Sequence, residues 1–268
     1  MKLSSLLKFN IKQNYGIFTI ISGVMILYVT VIINMYDPKG LDELIALANF
    51  KMSSELMTAF GFNIDVNASL VTMVATYFYG MLIYFVLIIY VIMVSNRLMV
   101  EHVDKGSMAY MLSTPHTRIQ IASFQAIFFI LSIALQILIL TLVGWAASEA
   151  SFPGLLDVNA FFMLNLGVFL LFAALSGISF LASCIFNETK NALALGAGLP
   201  LAFIIIDILA NVDEKLNVLH NFTIITLFDA NTIIANGAYI VNFLIMGAIS
   251  ILLYISGIWI FSKRDLSL

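Results

Sequence analysis

The segment EHVDKGSMAYMLSTPHTR, residues 101–118, interrupts two long apolar runs, 66–96 and 119–148, neither of which contains Asp, Glu, Lys or Arg. About 20 mainly apolar residues suffice for a helix to cross the roughly 30 Å hydrocarbon core of a bilayer. Each flanking run is therefore long enough to cross, and 101–118 becomes an extramembrane turn between two spans. Working outward, further charge-free stretches occupy 13–36, 158–187 and 230–262, and 191–210 carries a single acid, Asp207. The spacing predicts six transmembrane helices at 17–36, 70–95, 121–147, 160–186, 191–210 and 239–261. The fourth and fifth are joined by only Asn187, Glu188, Thr189 and Lys190, which makes a tight helical hairpin. Pro200 falls inside the fifth span and should kink or break it, because proline lacks the amide that a helix interior needs.

Composition agrees with this pattern. Of 268 residues, 62% are hydrophobic and 10% charged, and the mean hydropathy is +1.06; a soluble domain holds about half apolar and a quarter charged residues. The class that follows is an all-α integral membrane protein, read as one transmembrane domain over 1–268. The first apolar run has no small-residue cleavage site behind a short core, so it reads as a retained anchor and not a signal peptide.

Placement of the cations sets the orientation. One side would hold Lys2, Lys8, Lys12, Arg97, Lys105, Arg118, Lys190, Lys263 and Arg264; the other would hold Lys39, Lys51 and Lys215. The positive-inside rule then puts both termini in the cytoplasm, with 101–118 on the same side.

Three pieces outside the spans carry helical or apolar signals. MKLSSLLKFNIKQN places Leu3, Leu6, Leu7 and Ile11 on one face and Lys8 and Lys12 elsewhere, as in an amphipathic helix lying in the cytoplasmic interface. The alternative is that it is the solvated, basic start of the first span. ELIALANFKMSSELMTAF, within the outer loop 37–69, has helical spacing. VLHNFTIITLF, between the last two spans, is too short to cross but apolar enough for a re-entrant or interfacial element.

Within 101–118, Gly106 and Pro115 bracket a helix whose Met108, Met111 and Leu112 share one face at i, i+3, i+4. A two-turn helix is unstable alone in water, so this apolar face must be covered. It is covered either by the chain's own bundle or by a cytoplasmic partner.

The acids, the glycine and the run Met111-Leu112-Ser113-Thr114-Pro115-His116-Thr117-Arg118 resemble the cytoplasmic loop of permeases of the type-2 ABC export family. In that family a short helix ends in Leu-Leu-Ser-x-Pro-x-x-Arg; this chain departs from the pattern at Met111. The resemblance also covers the six spans, the internal termini, the amphipathic start, TIITLFDANTIIANG before the last span and the terminal FSKRDL. It implies that this is the membrane subunit of an exporter, with 101–118 as the coupling helix seated in a separate ATPase subunit. The residues so implicated are Glu101, Asp104, Gly106, Met108, Met111, Leu112, Pro115 and Arg118. ATP and magnesium would be bound by that partner chain, and a second permease copy or a related permease would complete the unit. No nucleic-acid partner is expected, and the bacterial plasma membrane is the expected location.

The chain has no Gly-Lys pair, hence no phosphate-binding loop, and it lacks His-Glu-x-x-His and Gly-x-Ser-x-Gly. Its histidines, His102, His116 and His220, fall far apart in the expected topology, and Cys184 is the lone cysteine. No cofactor or metal site is read within this chain, and no enzymatic activity of its own. Asp207, the single acid inside a span, is a functional candidate by default. Tyr77, Tyr84 and Asn165 join it as a candidate substrate path. A secondary transporter coupled to protons or cations through Asp207 is the second reading, although internal repeats and several mid-membrane charges are missing. A membrane sensor or scaffold is the third. Gln125, Gln136, Asn165 and Asn242 read as interhelical hydrogen bonds or span-end groups, and Ala192/Gly196 and Ala194/Gly198 as close-packing pairs.

Overall fold

A computed structural model describes residues 3–36, 69–113, 116–212 and 214–264. The expected outer helix within 37–69 and the helix stop at Pro115 lie outside the described residues. Helices α1 (Leu3–Asn34), α2 (Leu70–Val74), α3 (Ile83–Leu98), α4 (Val100–Asp104), α5 (Met108–Leu112) and α6 (Arg118–Ser151) form the first half. The second half holds α7 (Val158–Ile185), α8 (Thr189–Gly196), α9 (Gly198–Ala210), α10 (Ala230–Ile234) and α11 (Ile240–Lys263). A π-helical segment, Ala75–Leu82, joins α2 to α3, and 3-10 turns cover Glu214–Phe222 and Ile225–Leu227. Among the described residues, six helical stretches are long and apolar enough to cross a membrane, so the chain is a multi-pass membrane protein.

The helices alternate in direction between two ends. At one end Arg97 Nη1 donates to the Gln13 carbonyl (3.2 Å), Arg118 Nη1 donates to the Arg264 carbonyl (2.6 Å), and the Phe9 and His102 rings lie 5.8 Å apart. At the other end Ser151 donates to Asn34 (3.0 Å) and Tyr36 meets Phe152 edge-on. The two ends of the described chain therefore share one end of the bundle, as an even number of spans requires.

Helix α7 is the hub. Of the six spans it is the most deeply enclosed, packed against α3, α6, α8, α10 and α11. Small residues let α11 approach it closely. A Cβ added at Gly177 would sit 2.9 Å from that of Leu253, and Ser176 shares a 2.8 Å hydrogen bond with the Tyr254 hydroxyl. In lipid there is little hydrophobic force between helices, so close packing and such polar pairs must hold them.

One expectation changes in the structure. The amino-terminal segment is no separate interfacial helix; it runs unbroken into the first span as α1. No proline divides it, and Asn10 and Asn14 are buried, with the Asn10 amide donating to Gln125 of α6 at 2.5 Å. The buried stripe is thus Leu6–Asn10–Asn14, while Leu7 and Ile11 point outward. The described residues of the connection 211–238 form short 3-10 turns and α10, pinned by Thr223 donating to the Phe203 carbonyl (3.3 Å).

The fifth span does break, just ahead of Pro200. Helix α8 ends at Gly196, α9 begins at Gly198, and Ala197 lies between. Pro200 cannot donate to the carbonyl four residues back, which belongs to Gly196. Ser179 of α7 donates to that carbonyl instead, at 2.6 Å. Of the small-residue pairs, Ala192 and Gly196 face α7, whereas Ala194 and Gly198 are exposed.

Candidate functional site

The end of the bundle that gathers Arg97, Lys105, Arg118, Lys190 and Arg264 carries the hook formed by α4 and α5. Gly106 makes the turn between them with φ +68°, a left-handed conformation that glycine adopts without a Cβ clash. His102 Nδ1 shares a 2.9 Å hydrogen bond with Ser107, bracing the turn. Met108 (0% exposed) and Met111 (9%) are inserted into the chain's own core, while Tyr110 is 81% exposed. The apolar side expected to meet a partner is thus covered from within, because the hook folds back under the bundle. The surface left outward is Ala109, Tyr110 and Ser113, with Leu112 at its edge.

The two acids of the segment behave differently. Glu101 pairs with Lys105 one turn on, at 2.5 Å. Asp104 reaches across to the start of α8, accepting from the Thr189 amide (3.2 Å) and hydroxyl (2.7 Å). Glu188, at the cap position of α8, provides no side-chain cap. Asp104 supplies that cap from another loop, and its charge suits the positive end of the helix. Arg118 is turned inward to the Arg264 carbonyl. Arg264 in turn donates to the Cys184 carbonyl at 2.5 Å and to the Asn187 side chain. The ends of α3, α6, α7, α8 and α11 are thereby tied into one platform.

A second candidate region lies at the opposite end. A cavity of about 600 Å³ opens among the π segment, α9 and the 3-10 turns, with Tyr79, Tyr84, Asp207, His220 and Asp229 in its wall. Asp207 Oδ1 lies 3.5 Å from His220 Nδ1, a contact that becomes an ion pair when the imidazole is protonated. Asp229 is already occupied as the cap of α10, accepting from the Asn231 amide (2.9 Å) and the Thr232 hydroxyl (2.5 Å). That leaves Asp207 as the carboxylate of this wall not spent on a helix cap. A π segment inserts an extra residue into the helical turn; here it precedes Tyr84 and brings Tyr79 and Gly80 to the cavity.

Of the residues read as a substrate path, Tyr84 and Asp207 share this cavity, whereas Tyr77 and Asn165 do not line it. Asn165 is buried in α7, donating to the Phe161 carbonyl at 2.8 Å. His220, Thr189, Arg264 and Tyr110 did not stand out in the sequence as site residues. Tyr110 was legible on a helical wheel, opposite the methionines; the His220–Asp207 and Thr189–Asp104 pairs come from tertiary approach and leave no sequence signal.

Compared with known protein families, with curated proteins and with solved structures, the chain matches none.

Proposed function

We propose that the chain is the membrane permease subunit of an ATP-driven exporter of the type-2 ABC class, working with a separate ATPase subunit in a bacterial plasma membrane. The observation that carries this reading is the hook: a short, braced helical turn, tied through Asp104–Thr189 and Arg118–Arg264 to the ends of several spans, that presents an exposed Tyr110. A rigid attachment of this kind passes the displacement of a docked partner into the spans. A loose loop would absorb it. ATP and magnesium belong to the partner, and a second permease copy or a related permease completes the path.

The substrate is amphipathic or hydrophobic: a drug, an antimicrobial peptide or a lipid-like molecule. The cavity at the far end supports an amphipathic member of this class, since its wall mixes aromatic and apolar residues with polar and carboxylate groups in comparable measure. Closure of the ATPase drives transport only if its two states differ in affinity for the two permease conformations.

The test is copurification of the tagged chain with the ATPase encoded beside it, followed by Tyr110→Glu and Arg118→Glu. Tyr110 is exposed, so Tyr110→Glu leaves the fold intact and should lower ATPase recovery at least tenfold. Met111→Glu would bury a charge and is uninformative about docking. Full recovery with Tyr110→Glu, together with continued transport, removes the docking assignment. The Asp207–His220 contact favours one other reading, a transporter coupled to protons through Asp207. Uptake that is lost in Asp207→Asn and indifferent to any ATPase selects that reading instead.

A further inference from the structure

A second cavity, about 580 Å³, runs along the outside of the bundle between α1 and α6, toward the basic end. Helix α1 supplies Leu7, Ile11 and Tyr15 to it, and α6 supplies Phe124, Leu131 and Leu135. Tyr15 (65% exposed) and Leu131 (62%) stand at its open rim, and the fully buried Tyr90 of α3 closes the floor. The α1 wall extends from Leu7 to Thr19, which at 1.5 Å per residue is about 18 Å. One leaflet of the hydrocarbon core is about 15 Å deep. The groove is thus the length of one acyl chain in one leaflet.

Its upper end is charged. Lys8 and Lys12 are exposed on α1, four residues apart, and make no ion pair among the described residues. Lys8 precedes Tyr15 by seven residues, two helical turns, and Lys12 precedes Thr19 by the same interval, so both lysines lie on the rim side of α1 in the Leu7 half of the groove, and helical side chains tilt from there toward the amino-terminal end. Helix α1 carries no acid, and the first turn of α6 has none.

We propose that this groove is a binding site for an anionic phospholipid, its phosphate held by Lys8 and Lys12 and one acyl chain laid between α1 and α6. Charge decides the occupant. A second copy seated here across a two-fold axis would bring two unneutralised lysine pairs together, because such an interface presents the same patch from both sides. A zwitterionic lipid would fill the apolar trough but bring no net counter-charge to the lysines, because its own ammonium offsets its phosphate. Basic clusters beside membrane helices recruit anionic headgroups.

The experiment uses the full chain reconstituted in vesicles of equal phosphatidylglycerol and phosphatidylcholine, then released into mild detergent, with retained lipid identified by native mass spectrometry. Selective retention of phosphatidylglycerol is expected. Lys8→Gln with Lys12→Gln should lower that retention roughly tenfold to thirtyfold. Leu131→Trp, which fills the trough and spares both lysines, should displace the lipid as well. Lys190→Gln, at the same end but away from the groove, should leave it unchanged. All four positions, Lys8, Lys12, Leu131 and Lys190, are exposed, so folding is preserved. Equal retention of the two lipids overturns the proposal, as does unchanged retention in the double lysine variant. Efficient disulfide-linked dimers of Tyr15→Cys would also overturn it by assigning the groove to a second copy; the native Cys184 is buried and gives no background.

Discussion

Pro200, Gly196 and Ser179 show how one side chain answers for another. The proline removes an amide from α9, the Gly196 carbonyl loses its donor, and the Ser179 hydroxyl takes it up from α7. Ser179→Ala should therefore destabilise the protein by about 1–2 kcal/mol, the penalty of an orphaned buried carbonyl, read as a lower midpoint of thermal unfolding in detergent. In a Pro200→Ala background the same change should cost clearly less, because the substituted alanine restores an amide to the helix. Equal costs in both backgrounds would disconnect the two residues. Gly177 makes a related point about space. A Cβ there would overlap Leu253, so Gly177→Val should push α7 and α11 apart and cost about 1–3 kcal/mol. The unfolding midpoint checks this too.

At the scale of elements, α8 depends on a cap from outside itself. Asp104→Ala should leave the Thr189 amide open and speed hydrogen exchange over the first turn of α8, residues 189–192, while the core of α7 keeps its protection. Glu101→Ala should leave exchange in α8 unchanged, since its partner Lys105 lies in the same turn. The hook also shows why an amphipathic pattern alone misleads. Met108, Met111 and Leu112 were legible as one apolar face, but periodicity says only that a face must be covered. Whether the chain or a partner covers it depends on where the hook folds, and here Met108 and Met111 are buried against the bundle. The amino-terminal segment reverses expectation for a similar cause. Its apolar residues Leu7 and Ile11 face outward, and its asparagines face inward, because lipid reverses which side of a helix can remain exposed.

Across the whole molecule, most of the described cations gather at one end of the bundle, while Glu149, Asp157, Asp207, Glu214 and Asp229 lie toward the other. If the basic end is cytoplasmic, Lys190→Cys should react with an impermeant maleimide only in opened cells, and Glu149→Cys should react in intact ones. Both positions are exposed. The reverse pattern would invert the orientation. The number of spans, their approximate limits, the break at Pro200 and the shared side of the two ends were all legible in the order of residues, because the cost of placing charge and unpaired backbone in lipid leaves one way to thread six apolar runs. The partners of individual side chains were not. That Asp207 meets His220, that Asp104 caps α8, and that a trough opens between α1 and α6 beside Lys8 and Lys12 were decided by tertiary structure alone. Each depends on the distance and rotation between helices far apart in the chain, and a helix's own periodicity carries no record of its neighbour's.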